Sequence, residues 1–127
     1  MKITNIETIL AGQRYLFVKV HTDTGLVGYG ECGAWCYQEA TAECIHAMEH
    51  HLIGLDPLNI EYINNGLTRC MHFRGSVVMA AISGIDIANI TTPPSMSFWA
   101  EKCATRHAFM STSKRRLPKT SLRRHWI

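Results

Sequence analysis

Cys32 and Cys36 form a C-x-x-x-C pair, His46 and His50 an H-x-x-x-H pair, and thiolates and imidazoles are the donors that zinc takes. The spacing lacks the C-x-x-C knuckle of structural zinc sites, and small buried thiols also behave as hydrophobes, so core packing is the competing reading. Five cysteines, Cys32, Cys36, Cys44, Cys70 and Cys103, are an odd number at irregular intervals in a chain without a secretion signal, which points to reduced thiols. Glu31, in G-Y-G-E, is placed to be a general base, but a carboxylate without a partner is more often a solvated or capped group. The neighbours His50 and His51 point in different directions on a helix, so at most one faces a site, and half-buried, satisfied imidazoles are expected. Asp86, in the apolar run S-G-I-D-I-A, is expected to cap or anchor a neighbour across an interface. Gly28-x-Gly30 is too short for a phosphate loop and reads as close backbone packing. No catalytic constellation emerges from these residues.

The elements that must hold them lie in the first ninety residues. Residues 1–90 carry five Lys+Arg against nine Asp+Glu, whereas residues 91–127 carry eight against one, so the net charge moves from −4 to +7. The overall +3 and pI near 8.7 therefore come from the tail alone. Two domains follow as an expectation: a folded 1–90 and a disordered basic 91–127. With 46% hydrophobic residues the chain can bury one modest core. An n-region followed by an apolar core and cleavage site is missing, as is an apolar run long enough to span a bilayer, so a soluble, cytoplasmic protein with no membrane partner is expected.

Ile3, Ile6, Ile9 and Leu10 predict a first strand ending at Ala11-Gly12. The alternating run Leu16–His21, the turn Thr22-Asp23-Thr24-Gly25 and the run Leu26–Glu31 predict an antiparallel hairpin, hence a three-stranded meander. The period then lengthens towards 3.6. Gln38–Leu52 reads as an amphipathic helix with Ala40, Cys44, Ala47, Met48 and His51 or Leu52 inward. Asp56-Pro57 reads as the start of a second helix, with Leu58, Tyr62, Ile63, Leu67 and Met71 as its stripe. Ser76–Ala88 reads as a third helix, apolar nearly all round, which needs cover on more than one side. The fold class is thus α+β.

The segments K-I-T-x-I-E-T (Lys2–Thr8), F-V-K-V-H-T-D-T-G-L-V-G-Y-G-E (Phe17–Glu31), L-I-G-L-D-P (Leu52–Pro57) and F-R-G-S with A-A-I-S-G-I-D-I-A (Phe73–Ala88) together closely resemble the amino-terminal capping domain of the mandelate racemase and muconate lactonising enzyme family, in the enolase superfamily. The Arg14-Tyr15 and Phe73-Arg74-Gly75 pieces are most similar to the acid-sugar dehydratase branch of the galactonate dehydratase type. The resemblance implies a cap beside a TIM barrel, the barrel holding Mg²⁺-ligating carboxylates and the bases that remove a proton α to a carboxylate. It implies lyase or isomerase chemistry for the parent enzyme, and two cap loops over the substrate, here Gly12–Tyr15 and Gly33–Tyr37. Arg14, Tyr15, Trp35 and Tyr37 are the substrate neighbours so implied; the alternative is that they pack on the barrel rim.

Beyond Ala88 the pattern breaks. Family members continue with L-W-D-x-x-G-K, P-V-Y-E-L-L-G-G and the barrel strands, whereas this sequence reads N-I-T-T-P-P-S-M-S-F-W-A-E-K-C. The TIM barrel and every barrel ligand are absent from these residues, so the expectations are no intrinsic turnover, no Mg²⁺ held by this fragment, and a partner in the missing barrel or a full-length relative. The genetic code offers a reason. Read across residue boundaries, third base with the next two, Phe98-Trp99 must give Leu and Trp99-Ala100 must give Gly, and residues 93–108 can encode P-V-Y-E-L-L-G-G-K-V-R-D-K-A-R. That segment resembles the family's continuation, as a frameshift would produce. Its spacing from Ala88 is shorter than in relatives, so a deletion not divisible by three fits better than one lost base. A different class of reading is a non-catalytic binding or regulatory module, whose clusters Lys114-Arg115-Arg116 and Arg123-Arg124-His125 beside Trp126 contact nucleic acid or a partner chain. Like-charge blocks are usually solvated, which weighs against nucleic acid.

Overall fold

The computed structural model describes residues 1–12 and 14–90, Ile90 through its backbone only. The predicted tail, Cys103, the basic clusters and the segment 93–108 read as out of frame lie outside the described residues.

Three strands precede three helices: β1 (Ile3–Ala11), β2 (Tyr15–Thr22), β3 (Val27–Glu31), α1 (Gln38–Leu52), α2 (Ile60–Cys70) and α3 (Ser76–Ile90). The strands form one antiparallel sheet in the order β1-β2-β3, the predicted meander. Alternation explains its orientation. Leu16, Val18 and Val20 are wholly buried and join the core made with Ile45, Met48, Leu52, Ile63, Leu67, Ile82 and Ile85, so the helices cover one sheet face. The intervening residues of β2 face the other way. There Phe17 packs with Ala11, Ile9 and Tyr29, while Glu7 lies 3.6 Å from Lys19 and 3.4 Å from His21.

The start of β1 is pinned from two sides. Ile3 donates to the Leu55 carbonyl (2.8 Å), Gly54 donates to the Ile3 carbonyl (2.8 Å), and the Lys2 amide donates to an Asp23 carboxylate oxygen (2.8 Å). Gly54 reaches this position with φ +87°, which a side chain would resist, and so ends α1 beside the sheet.

α3 lies at the centre, touching β2, β3, α1 and α2. Its approach to β3 is backbone to backbone: a Cβ on Gly30 would collide with the Gly84 carbonyl oxygen, and one on Gly84 with the Cys32 sulfur. The expected close packing at Gly30 is thus present, with Gly84 as its counterpart. The domain itself buries Ala81, Ile82, Ile85 and Ala88, while Met79 and Ile87, 46% and 42% exposed, leave one edge open. The helix runs to Ile90, past the expected end at Ala88.

Two helix readings need correction. In α1 the inward residues are Gln38, Thr41, Ala42, Ile45, Met48 and Leu52, whereas Ala40, Ala47 and His51 are exposed. Two polar residues, Gln38 and Thr41, occupy the buried face, so a reading by apolar residues alone rotates it. The second helix begins at Ile60, not at Pro57. Asp56 accepts a bond from the Leu58 amide (3.1 Å) and its carbonyl one from Asn59 (3.0 Å), a turn that precedes the helix. Leu58 and Tyr62 consequently stay exposed, and Ile63 and Leu67 are the buried stripe. Among the described residues no helix is long and apolar enough to cross a membrane.

Candidate functional site

The two loops singled out by sequence meet at the end of the sheet away from Lys2. Between β1 and β2 the chain reverses in three residues, closing on the Ala11 to Tyr15 pair, and Gly12 takes φ +73° to allow it. After β3, Cys32 donates to the Leu16 carbonyl (2.8 Å), which prolongs the pairing by one step before the chain leaves the sheet. Tyr37 then donates to the Ala34 carbonyl (2.9 Å), and Cys36 sits at φ +64°, a conformation few side chains adopt. The Tyr37 carbonyl accepts both the amide and the hydroxyl of Thr41 (2.9 and 2.8 Å), fixing the entry into α1. Gln38, the first residue of α1, donates its side-chain amide to the Arg14 carbonyl at 3.0 Å. The loops are therefore joined, not merely adjacent.

They border an open cleft of about 790 Å³, walled by Leu10, Gly12, Cys36, Tyr37, Gln38 and Glu39 among others. Of the four predicted substrate neighbours, Tyr37 is in this wall and 60% exposed. Trp35 is 85% exposed, Tyr15 39%, and Arg14 is exposed; these three stand outside the wall, Arg14 being tied to it through its main chain. Sequence reasoning did not single out Leu10, Cys36, Gln38 or Glu39 as wall residues, although Cys36 lies in the Gly33–Tyr37 loop it named. Only Gln38 carried a usable signal: it falls in the three-four spacing of the buried face with Thr41, Ile45, Met48 and Leu52.

Such a surface can bind but holds no reacting pair. Arg14 offers a forked cation and Tyr15, Trp35 and Tyr37 offer rings with one polar edge each, groups suited to a polyhydroxylated anion. Glu31 is exposed at the end of β3. The zinc reading finds no geometric support, because among the described residues no three His, Cys, Asp or Glu side chains converge. Cys32 is fully buried, His46 meets the Thr8 hydroxyl at 3.1 Å, and His50 lies against His51 with ring centroids 3.8 Å apart and the rings tilted by 42°. Both of these last imidazoles are exposed, against the half-buried state expected. The same lack of convergence means that these residues do not fit the Mg²⁺ implied for the parent enzyme, and no step runs through it here. Burial, then the nearby Glu31 charge, pushes the Cys32 thiol up to about 12, so it stays neutral and unreactive. Burial also raises the Cys44 thiol. Cys32, Cys36, Cys44 and Cys70 are all free.

Residues 3–90 match the family model described as mandelate racemase / muconate lactonizing enzyme, N-terminal domain. The D-galactonate dehydratase of Verminephrobacter eiseniae is 37% identical over 89 residues, 69% of this chain and 23% of that protein. That of Pectobacterium atrosepticum is 39% identical over the same shares. The chain thus spans about a quarter of the length of the curated relatives it matches, 23% in both cases. Among solved structures, an enolase-superfamily member from Salmonella Typhimurium superposes with a TM-score of 0.64 at 33% identity, over 69% of this chain and 24% of that one.

Proposed function

This chain belongs to the mandelate racemase/muconate lactonizing enzyme family, matching its amino-terminal domain, and from that premise we propose that it is the cap of a cytoplasmic acid-sugar dehydratase acting on a galactonate-like substrate. The observation that supports this reading is the pair of joined loops beside an open cleft, with Tyr37 in its wall and Arg14, Tyr15 and Trp35 exposed near wall residues in sequence. In the parent enzyme Mg²⁺, held elsewhere, would supply a Lewis acid that stabilises charge as a proton leaves the carbon next to the carboxylate. This chain's residues do other work. Arg14 pairs with substrate oxygens, the aromatic side chains hold and orient the polyol, and closure of the two loops excludes water.

The partner is a barrel, supplied by the missing continuation or by a full-length relative. We propose further that residues 93–108 are an out-of-frame reading of that continuation, which the obligatory Leu and Gly at Phe98-Trp99 and Trp99-Ala100 support. Sequencing the gene tests this directly: a deletion before that segment supports it, and an uninterrupted gene whose other frame reads differently removes it.

The function is tested by assaying the purified chain for Mg²⁺-dependent dehydration of a panel of acid sugars, alone and mixed with the separately produced barrel of a galactonate dehydratase. No turnover is expected alone and measurable turnover in the mixture, with kcat/KM about 10- to 100-fold lower for Arg14→Ala, the effect of losing a charged hydrogen bond. Turnover by the chain alone, or an inert mixture, overturns the reading.

A further inference from the structure

Gln38 is unlike the other buried polar side chains whose bonds are local. Thr22 and Thr41 bond to carbonyls within their own turns, Leu26 and Tyr37, whereas Gln38, 7% exposed, reaches a carbonyl 24 residues back in the chain. It does so from the first residue of a fifteen-residue helix whose entry is held twice through Tyr37, so the donor stands on a fixed base. We propose that Gln38 is a positioning residue, a latch that fastens the Gly12–Tyr15 loop, at Arg14, to the Gly33–Tyr37 loop so that the two hold one arrangement beside the cleft.

Two features of the bond give this its content. The acceptor is the main chain of Arg14, so residue 14 keeps its side chain free for a ligand and can be exchanged without releasing the latch. The donor must carry a proton: an ionised carboxylate at residue 38 has none to give and repels the carbonyl it faces. The meaning of the latch for substrate choice rests on the cap reading above, but the fastening is measurable without any substrate, so the two fail separately.

Amide hydrogen exchange of the full chain, expressed as protection relative to unstructured amides, reads the latch at each loop. Gln38→Met is expected to lower protection in Gly12–Tyr15 and Gly33–Tyr37 together, by about five-fold, the worth of one ordinary hydrogen bond, while α3 keeps its own. Gln38→Glu adds a readout that simple packing would not move: near wild-type protection at about pH 4, where the acid is neutral and can donate, and the same five-fold loss at about pH 8, with wild type unchanged between the two. Arg14→Ala is expected to leave both loops protected. Wild-type protection of Gly12–Tyr15 in Gln38→Met, or loss confined to the first turn of α1, overturns the proposal. Loss throughout α3 overturns it too, because Gln38 would then hold the fold and not the loops.

Discussion

Gly30 and Gly84 meet where a strand and a helix touch through their main chains, and neither has room for a methyl group. Gly84→Ala or Gly30→Ala is expected to destabilise the domain by about 1–3 kcal/mol, the range for overpacking a filled interior, measured by urea unfolding. Gly66 and Gly75, whose added Cβ would meet nothing, are the controls. Cys32 beside this contact makes a second prediction. Its thiol ionises at about 12 in the folded chain against an ordinary 9.0, so its contribution to stability is fully present below pH 9 and is lost as the pH rises towards 12. A single alkaline unfolding curve of wild type against Cys32→Ala reads this. Alkylation followed peptide by peptide should mark Cys36 and Cys70, both exposed, well before Cys32. The close approach at Gly30 was legible in sequence because glycine inside a strand has few other uses; Gly84, inside a helical pattern, gave no comparable hint.

Among the elements, α1 separates what pattern reveals from what it hides. Its existence and length follow from the sequence, yet its inward face contains Gln38 and Thr41, whose polar groups are satisfied by Arg14 and Tyr37 and can therefore be buried. Ile45, absent from the apolar face read from sequence, is fully buried. Ile45→Ala is expected to cost about 2–5 kcal/mol, while Ala47→Lys on the exposed side should change stability by less than about 0.5 kcal/mol, both by urea midpoint. The strands were easier. In β2 the alternation of Leu16, Val18 and Val20 with Phe17, Lys19 and His21 assigns the two sheet faces without further information. The start of α2 was misplaced because Asp56-Pro57 suits a helix start and a preceding turn equally well, and the bonds to Leu58 and Asn59 decide for the turn.

For the molecule as a whole, the described residues form one layer of sheet and one of helices with the main core between them, a smaller apolar cluster on the outer sheet face, and the cleft at one end. The position of the loops was expected from a resemblance, not from periodicity; the bond that joins them was not expected, because the three-four spacing that places Gln38 on the buried face does not name a partner 24 residues back in the chain. The open edge of α3 at Met79 and Ile87 gives a prediction at this scale. Substituting both by Glu in the capping chain should weaken recovery of turnover with an added barrel if that edge is the seat, and should leave the far-UV circular dichroism of the chain alone unchanged, because exposed substitutions alter stability little.

β1 has a practical consequence. Its first residue is clasped by Leu55 and its last faces Tyr15, and nine residues of extended chain place these ends about 27 Å apart. A tether or dye attached ahead of Met1 would therefore sit by the Thr22–Gly25 turn, a strand's length from Gly12, and the polypeptide can be anchored to a sensor chip through Met1 with the cleft still facing the flow.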